Sequence, residues 1–588
     1  MARCRVWAGS TLGAIAGLLA FANGASASAH TACTALSGTM LTLDGVAQTL
    51  SLTAIDVSAG SISKKPRSPA FCEINAVVSS NANAAVSRIA IAVWLPETGW
   101  NGRFLGTGNG GFAGVVRTGP MKTGLLQFYA VANTDLGTGI LFKCITLFCG
   151  SREGFWQFGV PLGGLLGDSA AIDDFGYGAT HLMTLAGKQL IEEYYGTSAS
   201  YSYFHGCSTG GGQALGEAQL YPADYDGILA GSPAYNRTHL ITGRAAEYEV
   251  THFAPDAYLT DGALALAHAG VLAACAGQDG GLPTDDFLTK PALCKFNAAA
   301  LQCSGAPGEL PCDHPVSNGR CTCLTADEAV SMNQYWAGSF DNHGNVVDPG
   351  YERSAETGTD GFSQLKVTEP AYDSLDYWSF GLNFHWQSLF RTVSAPDGIR
   401  AERIRALDGT PVGSGNFDSV LNARNADLAA FHAQGGKLIL YAGYADPAIP
   451  SADTIDYYNQ AVKDDPQTPE YVRLYLAPGM WHCDGGPGVD AFGNESSNQP
   501  PRPKSPDDDV LAALVAWREN GAAPGKIIGT HYINDAQSEG IAFQRPLCPY
   551  PQNARYKGRG EVNLARSFRC APGDPVRSQK FGKGYGPY

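Results

Sequence analysis

Apolar and polar positions alternate along residues 86–95, Val-Ser-Arg-Ile-Ala-Ile-Ala-Val-Trp-Leu, which predicts a strand. A short apolar run at residues 128–132 predicts a buried strand ending at Asn133-Thr-Asp-Leu-Gly137. Between residues 179 and 195 the spacing becomes helical, with Leu182, Leu185, Leu190 and Ile191 on or near one face and Gly196 as the stop. Residues 201–204 form a further strand candidate that runs into Gly206-Cys-Ser-Thr-Gly-Gly211, and residues 213–220 can form the helix that follows. The pattern is strand, glycine turn, helix, with Ser208 at the turn. Residues 437–441 and 472–476 read as buried strands, and residues 510–517 as a helix. Asp446 and His482 each follow one of these strands, as expected where sites gather at the carboxyl ends of a doubly wound sheet. Residues 236–425 break the pattern: they are rich in cysteine, glycine and aromatics, and strand-helix alternation is weak. The expected architecture is an α/β-hydrolase core from residues 30–235 and 426–588, with 236–425 inserted as a lid domain.

Composition adds an address. Arg3 and Arg5 precede an uncharged apolar run to Ala22, and small residues close it at Ala25-Ser-Ala27 and Ala27-Ser-Ala29. Residues 1–29 therefore read as a cleaved signal peptide and not a membrane anchor, which predicts a secreted protein, extracellular or periplasmic. Of 15 cysteines only Cys4 falls in that leader, and the even remainder suits disulfides in an oxidising compartment. A zinc cluster at Cys303, Cys312, Cys321 and Cys323 is the rival reading, weakened by the lack of a histidine to complete it. The formal charge is −15, and more negative without Arg3 and Arg5. That argues against nucleic acid and anionic membrane surfaces as partners. Asn236-Arg-Thr and Asn494-Glu-Ser match glycosylation acceptors, relevant only in a eukaryotic host.

The chemistry follows from chain order. Ser208, Asp446 and His482 occur in the order nucleophile, acid, base found in α/β-hydrolases. His482 can take the serine proton, and Asp446 can fix the imidazole tautomer. The N–H of Thr209 would face a developing oxyanion. A second donor is expected from Gly108-Asn-Gly-Gly-Phe-Ala-Gly114, at the Gly111 N–H. Read singly, each residue has a plain structural alternative: Ser208 as a helix N-cap, Asp446 as a turn residue before Pro447, His482 as an ordinary loop histidine. Cys207 and Cys483 adjoin the serine and the histidine. If those two side chains meet, the cysteines fall within disulfide reach and staple the site.

The chain resembles the tannase/feruloyl esterase family, which also contains the hydrolase of mono(2-hydroxyethyl) terephthalate. The resemblance rests on Trp100-Asn-Gly-Arg-Phe104, Gly206-Cys-Ser-Thr-Gly-Gly211, Tyr225-Asp-Gly-Ile-Leu-Ala-Gly-Ser-Pro233, Asp446-Pro447, Pro478-Gly-Met-Trp-His-Cys-Asp-Gly-Gly-Pro487, Arg545-Pro-Leu-Cys-Pro-Tyr-Pro551 and Ala554-Arg-Tyr-Lys-Gly558. It implies the Ser208–Asp446–His482 triad, a large lid and a Cys207–Cys483 bridge. It also implies the pairs Cys33–Cys72, Cys275–Cys294, Cys303–Cys323 and Cys548–Cys570. Beside those implied pairs, Cys312–Cys321 and Cys144–Cys149 would be extras particular to this chain.

No organic cofactor is expected. The resemblance further implies a structural calcium ion in the lid, held by Asp279 and Asp285 with the backbone oxygens of Gly281 and Phe287. Ala276 stands where the family loop has its first aspartate, and an ordinary Asp-Gly turn is the alternative. Tyr377, Trp378, Phe380, Phe384, His385 and Trp386 supply an aromatic stretch suited to flat acyl groups, or to packing within the lid. The resulting expectation is a secreted serine carboxylesterase for esters of hydroxycinnamic acids such as ferulic acid, or of gallic acid. Its partners would be small aromatic, plant cell-wall or tannin esters. The alternatives are a terephthalate monoester hydrolase and, in a different class, a non-catalytic binding protein on a hydrolase scaffold.

Overall fold

The computed structural model describes residues 31–138, 169–358 and 398–576, apart from 65, 85, 112–113, 252–253, 313–320, 497 and 499–504. Nine strands form one sheet: β1 (Gln48–Val57), β2 (Phe71–Ser79), β3 (Ile89–Pro96), β4 (Arg103–Thr107), β5 (Ala130–Thr134), β6 (Tyr201–Cys207), β7 (Gly227–Gly231), β8 (Lys437–Gly443) and β9 (Val472–Ala477). Their order is β1-β2-β3-β5-β4-β6-β7-β8-β9. The pairings from β1 to β5 by way of β2 and β3 are antiparallel; those from β5 through β4, β6, β7 and β8 to β9 are parallel. This is an α/β-hydrolase-type sheet with the serine on a central strand. The parallel strands read as continuous apolar runs because both faces are covered. In β7 all five residues are buried, and in β8 only Lys437 is not.

Helices α1 (Ala179–Tyr195) and α2 (Thr209–Leu220) cover one face, packing Leu190 and Leu215 into a core with Phe104, Phe204 and Leu438. The other face buries Tyr203, Ile439 and Tyr441 under Leu511 and Leu514. The predicted helix at residues 179–195 has the expected bounds, and Gly196 ends it in the left-handed conformation at φ 70°. The helix after the serine starts at Thr209, four residues earlier than its apolar pattern suggests, because the turn glycines themselves are helical.

Residues 236–425 do not pack as one unit. Residues between 259 and 355 make a separate core, with Leu264, Val271, Met332, Tyr335 and Trp336. Three disulfides stitch it: Cys275–Cys294, Cys303–Cys323 and Cys312–Cys321. Ile404, Leu407, Phe417 and Val420 instead join the main core beside the sheet. Cys33–Cys72 and Cys548–Cys570 are also bridged. The four cysteines considered for zinc are thus consumed in two bridges. Cys144 and Cys149, the leader, and the aromatic stretch from Tyr377 to Trp386 lie outside the described residues.

Candidate active site

The Gly206-x-Ser208-x-Gly210 turn is dictated by close approach. A Cβ on Gly206 would sit 2.4 Å from the Gly210 carbonyl oxygen, and one on Gly210 would sit 2.9 Å from the Gly108 Cα. Neither strand end nor helix start leaves room for a side chain. Ser208, squeezed between them, adopts φ 63° and ψ −122°, a sterically costly geometry for a residue with a Cβ. Its carbonyl accepts from the Gly212 and Ala234 N–H groups, at 3.0 and 2.9 Å, which holds the turn. The hydroxyl thereby stands at the carboxyl end of β6, facing a cavity of about 320 Å³ that His482 also lines.

Asp446 and His482 are brought together by the two strands beyond. Asp446 follows β8, and its Oδ1 accepts the N–H groups of Ala448 and Ile449, both at 2.8 Å. Its Oδ2 accepts from His482 Nδ1 at 2.9 Å. Burial pushes the Asp446 carboxyl up, but the attraction of His482, their hydrogen bond and the two backbone N–H groups outweigh it. The group is held below the usual carboxylate range. A carboxylate ionised at neutral pH on Nδ1 leaves the other imidazole nitrogen as the proton acceptor.

Cys207 and Cys483 are disulfide-bonded with a Cα–Cα distance of 5.9 Å. Both line the cavity, as do Gly111 and Thr209. The Thr209 hydroxyl donates to the Gly111 carbonyl, which ties the two expected oxyanion donors to each other. Gly111 has φ 56°, a conformation that favours glycine. Phe112 and Ala113, next in that loop, lie outside the described residues.

Two supporting residues escaped the sequence reading. Glu495 is buried, accepts the Cys207 N–H through Oε1 and pairs with Arg117 through Oε2, each at 3.1 Å. Burial pushes its carboxyl up, against the opposing pull of Arg117 and the Cys207 N–H. Asn494 is 3 % exposed, and its Nδ2 donates to the Cys483 carbonyl at 2.8 Å. The glycosylation reading of Asn494 is therefore corrected: the amide is buried and spent on positioning the cysteine beside His482. The Asn-Glu pair carried no apolar periodicity, and its partners lie far away in sequence, so only the glycan pattern was visible.

The calcium candidates lie in one loop but are engaged elsewhere. Asp279 accepts the N–H groups of Gly281 (3.0 Å), Lys290 (3.0 Å) and Thr289. Asp285 accepts from Leu282 N–H at 3.2 Å and pairs with Arg545 at 3.0 Å. Calcium requires six to eight oxygens. Two carboxylates already satisfied by five N–H groups do not fit that need. Phe287 packs its ring against Phe543, with centroids 6.1 Å apart, and against the backbone of Gly479 in the histidine loop.

A carboxylate-held imidazole and a hydroxyl on a strained turn, lining one cavity, form a constellation suited to acyl transfer. The family profile described as Tannase and feruloyl esterase matches residues 72–571. An uncharacterized esterase of Xanthomonas campestris pv. campestris is 32% identical over 590 residues, covering 95% of this chain and 94% of its own. Mono(2-hydroxyethyl) terephthalate hydrolase of Piscinibacter sakaiensis is 29% identical over 563 residues, covering 86% and 85%. The solved structure of feruloyl esterase B from Aspergillus oryzae superposes with a TM-score of 0.67 at 25% identity, over 89% of this chain and 97% of that one.

Proposed function

This chain belongs to the tannase and feruloyl esterase family and is a carboxylic ester hydrolase, and from that premise we propose that it is an exported serine esterase for aromatic acids. Ser208 Oγ attacks the ester carbonyl as His482 takes its proton. The Thr209 and Gly111 N–H groups receive the oxyanion. Collapse expels the alcohol, protonated by His482, and leaves an acyl group on Ser208. A water activated by His482 then releases the acid. The observation that carries the reading is the 2.9 Å Asp446–His482 contact in the same cavity as the strained Ser208.

Esters of ferulic or related hydroxycinnamic acids come first as substrates, with galloyl esters beside them, by likeness to the relatives named for those activities. The likeness to the terephthalate monoester hydrolase keeps that ester as a second reading. Export is supported by the leader and by six disulfides among the described residues. No described helix is long and apolar enough to cross a membrane. The inserted region 236–425 is read as the lid, because Arg237, Leu240, Ile241 and Arg244 wall the cavity from its first helix.

The test is a panel of methyl ferulate, methyl gallate, mono(2-hydroxyethyl) terephthalate and an acetyl ester, with Ser208→Ala as control. Serine-dependent turnover of an aromatic ester well above the acetyl ester is expected. Folded protein that turns over none of them would favour a scaffold that only binds.

A further inference from the structure

The loop that follows β4, residues 108–117, carries Gly111, and two asparagines that are 0 % exposed hold it at the base. Asn133, at the carboxyl end of β5, donates through Nδ2 to the carbonyls of Thr107 (2.7 Å) and Gly108 (3.2 Å), where the loop leaves the sheet. Its Oδ1 accepts the Arg117 N–H at 2.7 Å, where the loop ends. Asn109 lies within the loop. Its Nδ2 donates to the carbonyls of Thr134 (2.8 Å) and Val115 (3.3 Å), so one amide ties the start of the loop to its far side and to the sheet.

Asn109 also joins the loop to the nucleophile turn. Its carbonyl accepts the Gly210 N–H at 2.7 Å, and its own N–H donates to Gln213 Oε1 at 2.8 Å. Gln213 is fixed in turn by donating to Thr180 Oγ1 on α1 at 2.8 Å. The two backbones meet at Gly108, where a Cβ would lie 2.5 Å from the Gly210 Cα and 2.8 Å from the Gly206 Cα. Asn133 donates and accepts at once, which neither a carboxylate nor an ammonium can do. Asn109 differs: its Oδ1 is buried and meets no hydrogen-bond donor. A buried acceptor without a partner costs stability. Stability alone therefore does not account for this amide; what its NH2 group holds in place is the loop beside Ser208.

We propose that Asn109 and Asn133 are positioning residues for the transition state, presetting the loop so that the Gly111 N–H meets the oxyanion without rearrangement. The inference rests on the serine-esterase reading and adds to it two residues that act through the backbone they hold.

Asn109→Ala and Asn133→Ala test it in the whole protein, on the ester that the wild type turns over best. Each should lower kcat on the order of 10–100-fold and change KM by less than about twofold. Phenylboronic acid separates positioning from general damage: Ser208 Oγ adds to boron, His482 takes the proton, and the tetrahedral adduct resembles the transition state. Its inhibition constant should rise by the factor that kcat falls, while that of ferulic acid, a planar product, stays nearly unchanged. Because both asparagines hold one loop, the double variant should lose little more than the weaker single variant. An unchanged kcat in both variants overturns the proposal, as does equal weakening of boronate and ferulate. Hydrogen exchange of the wild type decides even if a variant fails to fold. The Asn109 and Arg117 amides, each held by a side chain, should exchange as slowly as those of β5, and exchange at the rate of an open loop overturns the proposal. Wild-type protein that turns over no ester and takes no boronate, or turnover that persists in Ser208→Ala, brings down the esterase reading itself and this inference with it.

Discussion

Cys207 and Cys483, 276 positions apart, are joined by a disulfide, and each is the chain neighbour of a residue of the proposed triad. The bond thus fixes the distance between Ser208, just after β6, and His482, beyond β9, two strands separated in the sheet by β7 and β8. Cys483 is half-exposed and both cysteines line the cavity, so a small reductant reaches this bridge through the substrate's own entrance. Mild reduction should therefore abolish activity before the fold is lost. Esterase activity and near-UV circular dichroism followed against dithiothreitol should separate, with activity falling first. Coincident curves would show that the bridge matters only to global stability.

Glu495 acts one step behind. It holds the Cys207 N–H and neutralises Arg117. In Glu495→Ala both partners lose their acceptor, at about 1–3 kcal/mol for each group left unsatisfied. Because Cys207 adjoins the nucleophile, a small displacement of the turn should lower kcat on the order of 10–100-fold, with a lesser change in KM. Glu495→Gln keeps an acceptor for Cys207 and should recover part of kcat. Equal loss in both variants would mean that the Arg117 charge, and not the turn, is what Glu495 serves.

Much of this arrangement was legible in the sequence because its signals were local. The Ser208 turn announced itself by glycines, which contact later explains, and α1 by a clean helical stripe closed by Gly196. Strand β1 was not read from the sequence: a bulge between Thr49 and Ser51 breaks the two-residue alternation that would have marked it. The contributions of Glu495 and Asn494 were not legible at all. Each depends on what a polar side chain meets across the fold, and such partners leave no periodicity. The order Ser208, Asp446, His482 pointed to the site, but not to the residues that hold it in place.

The loop from Asp279 to Phe287 joins the histidine loop through packing. A Cβ on Gly479 would lie 2.6 Å from the Phe287 ring, and Gly479 itself has φ 72°. With Asp279 and Asp285 spent on N–H groups and on Arg545, the loop has internal partners for its charge. Chelation with EDTA should leave both activity and Tm unchanged. Disrupting the loop's own ion pair in Asp285→Asn should lower Tm and slow turnover through the Phe287–Gly479 contact. A drop in Tm on chelation, restored by calcium, would show that a metal orders this loop after all.

Buried carboxyls outside the site set the pH at which the fold is strongest. Burial pushes Asp453 up to about 8, with repulsion from Asp456 adding to it and Arg424 opposing. Burial likewise lifts Glu352 to about 7 against Arg353 and Lys295, and Asp174 to about 6 despite hydrogen bonds from Ser80 and Ser87. In the unfolded chain such groups release their protons near pH 4. Between about pH 4 and pH 8 the folded state therefore binds more protons than the unfolded one, and stability must fall as pH rises. Asp446 acts the other way. Its folded pKa is depressed, so its contribution is present above the ordinary carboxylate range and is lost only as pH falls through the folded value. The fold should be most stable in mildly acidic solution and weaken toward pH 8. Asp453→Asn removes one of the raised groups with little change in volume. It should stabilise the protein at pH 8 relative to pH 5 by on the order of 1–3 kcal/mol. Thermal melts of both proteins at pH 5, 6.5 and 8 measure this, and parallel profiles would show that Asp453 is ionised in the fold at every one of those pH values.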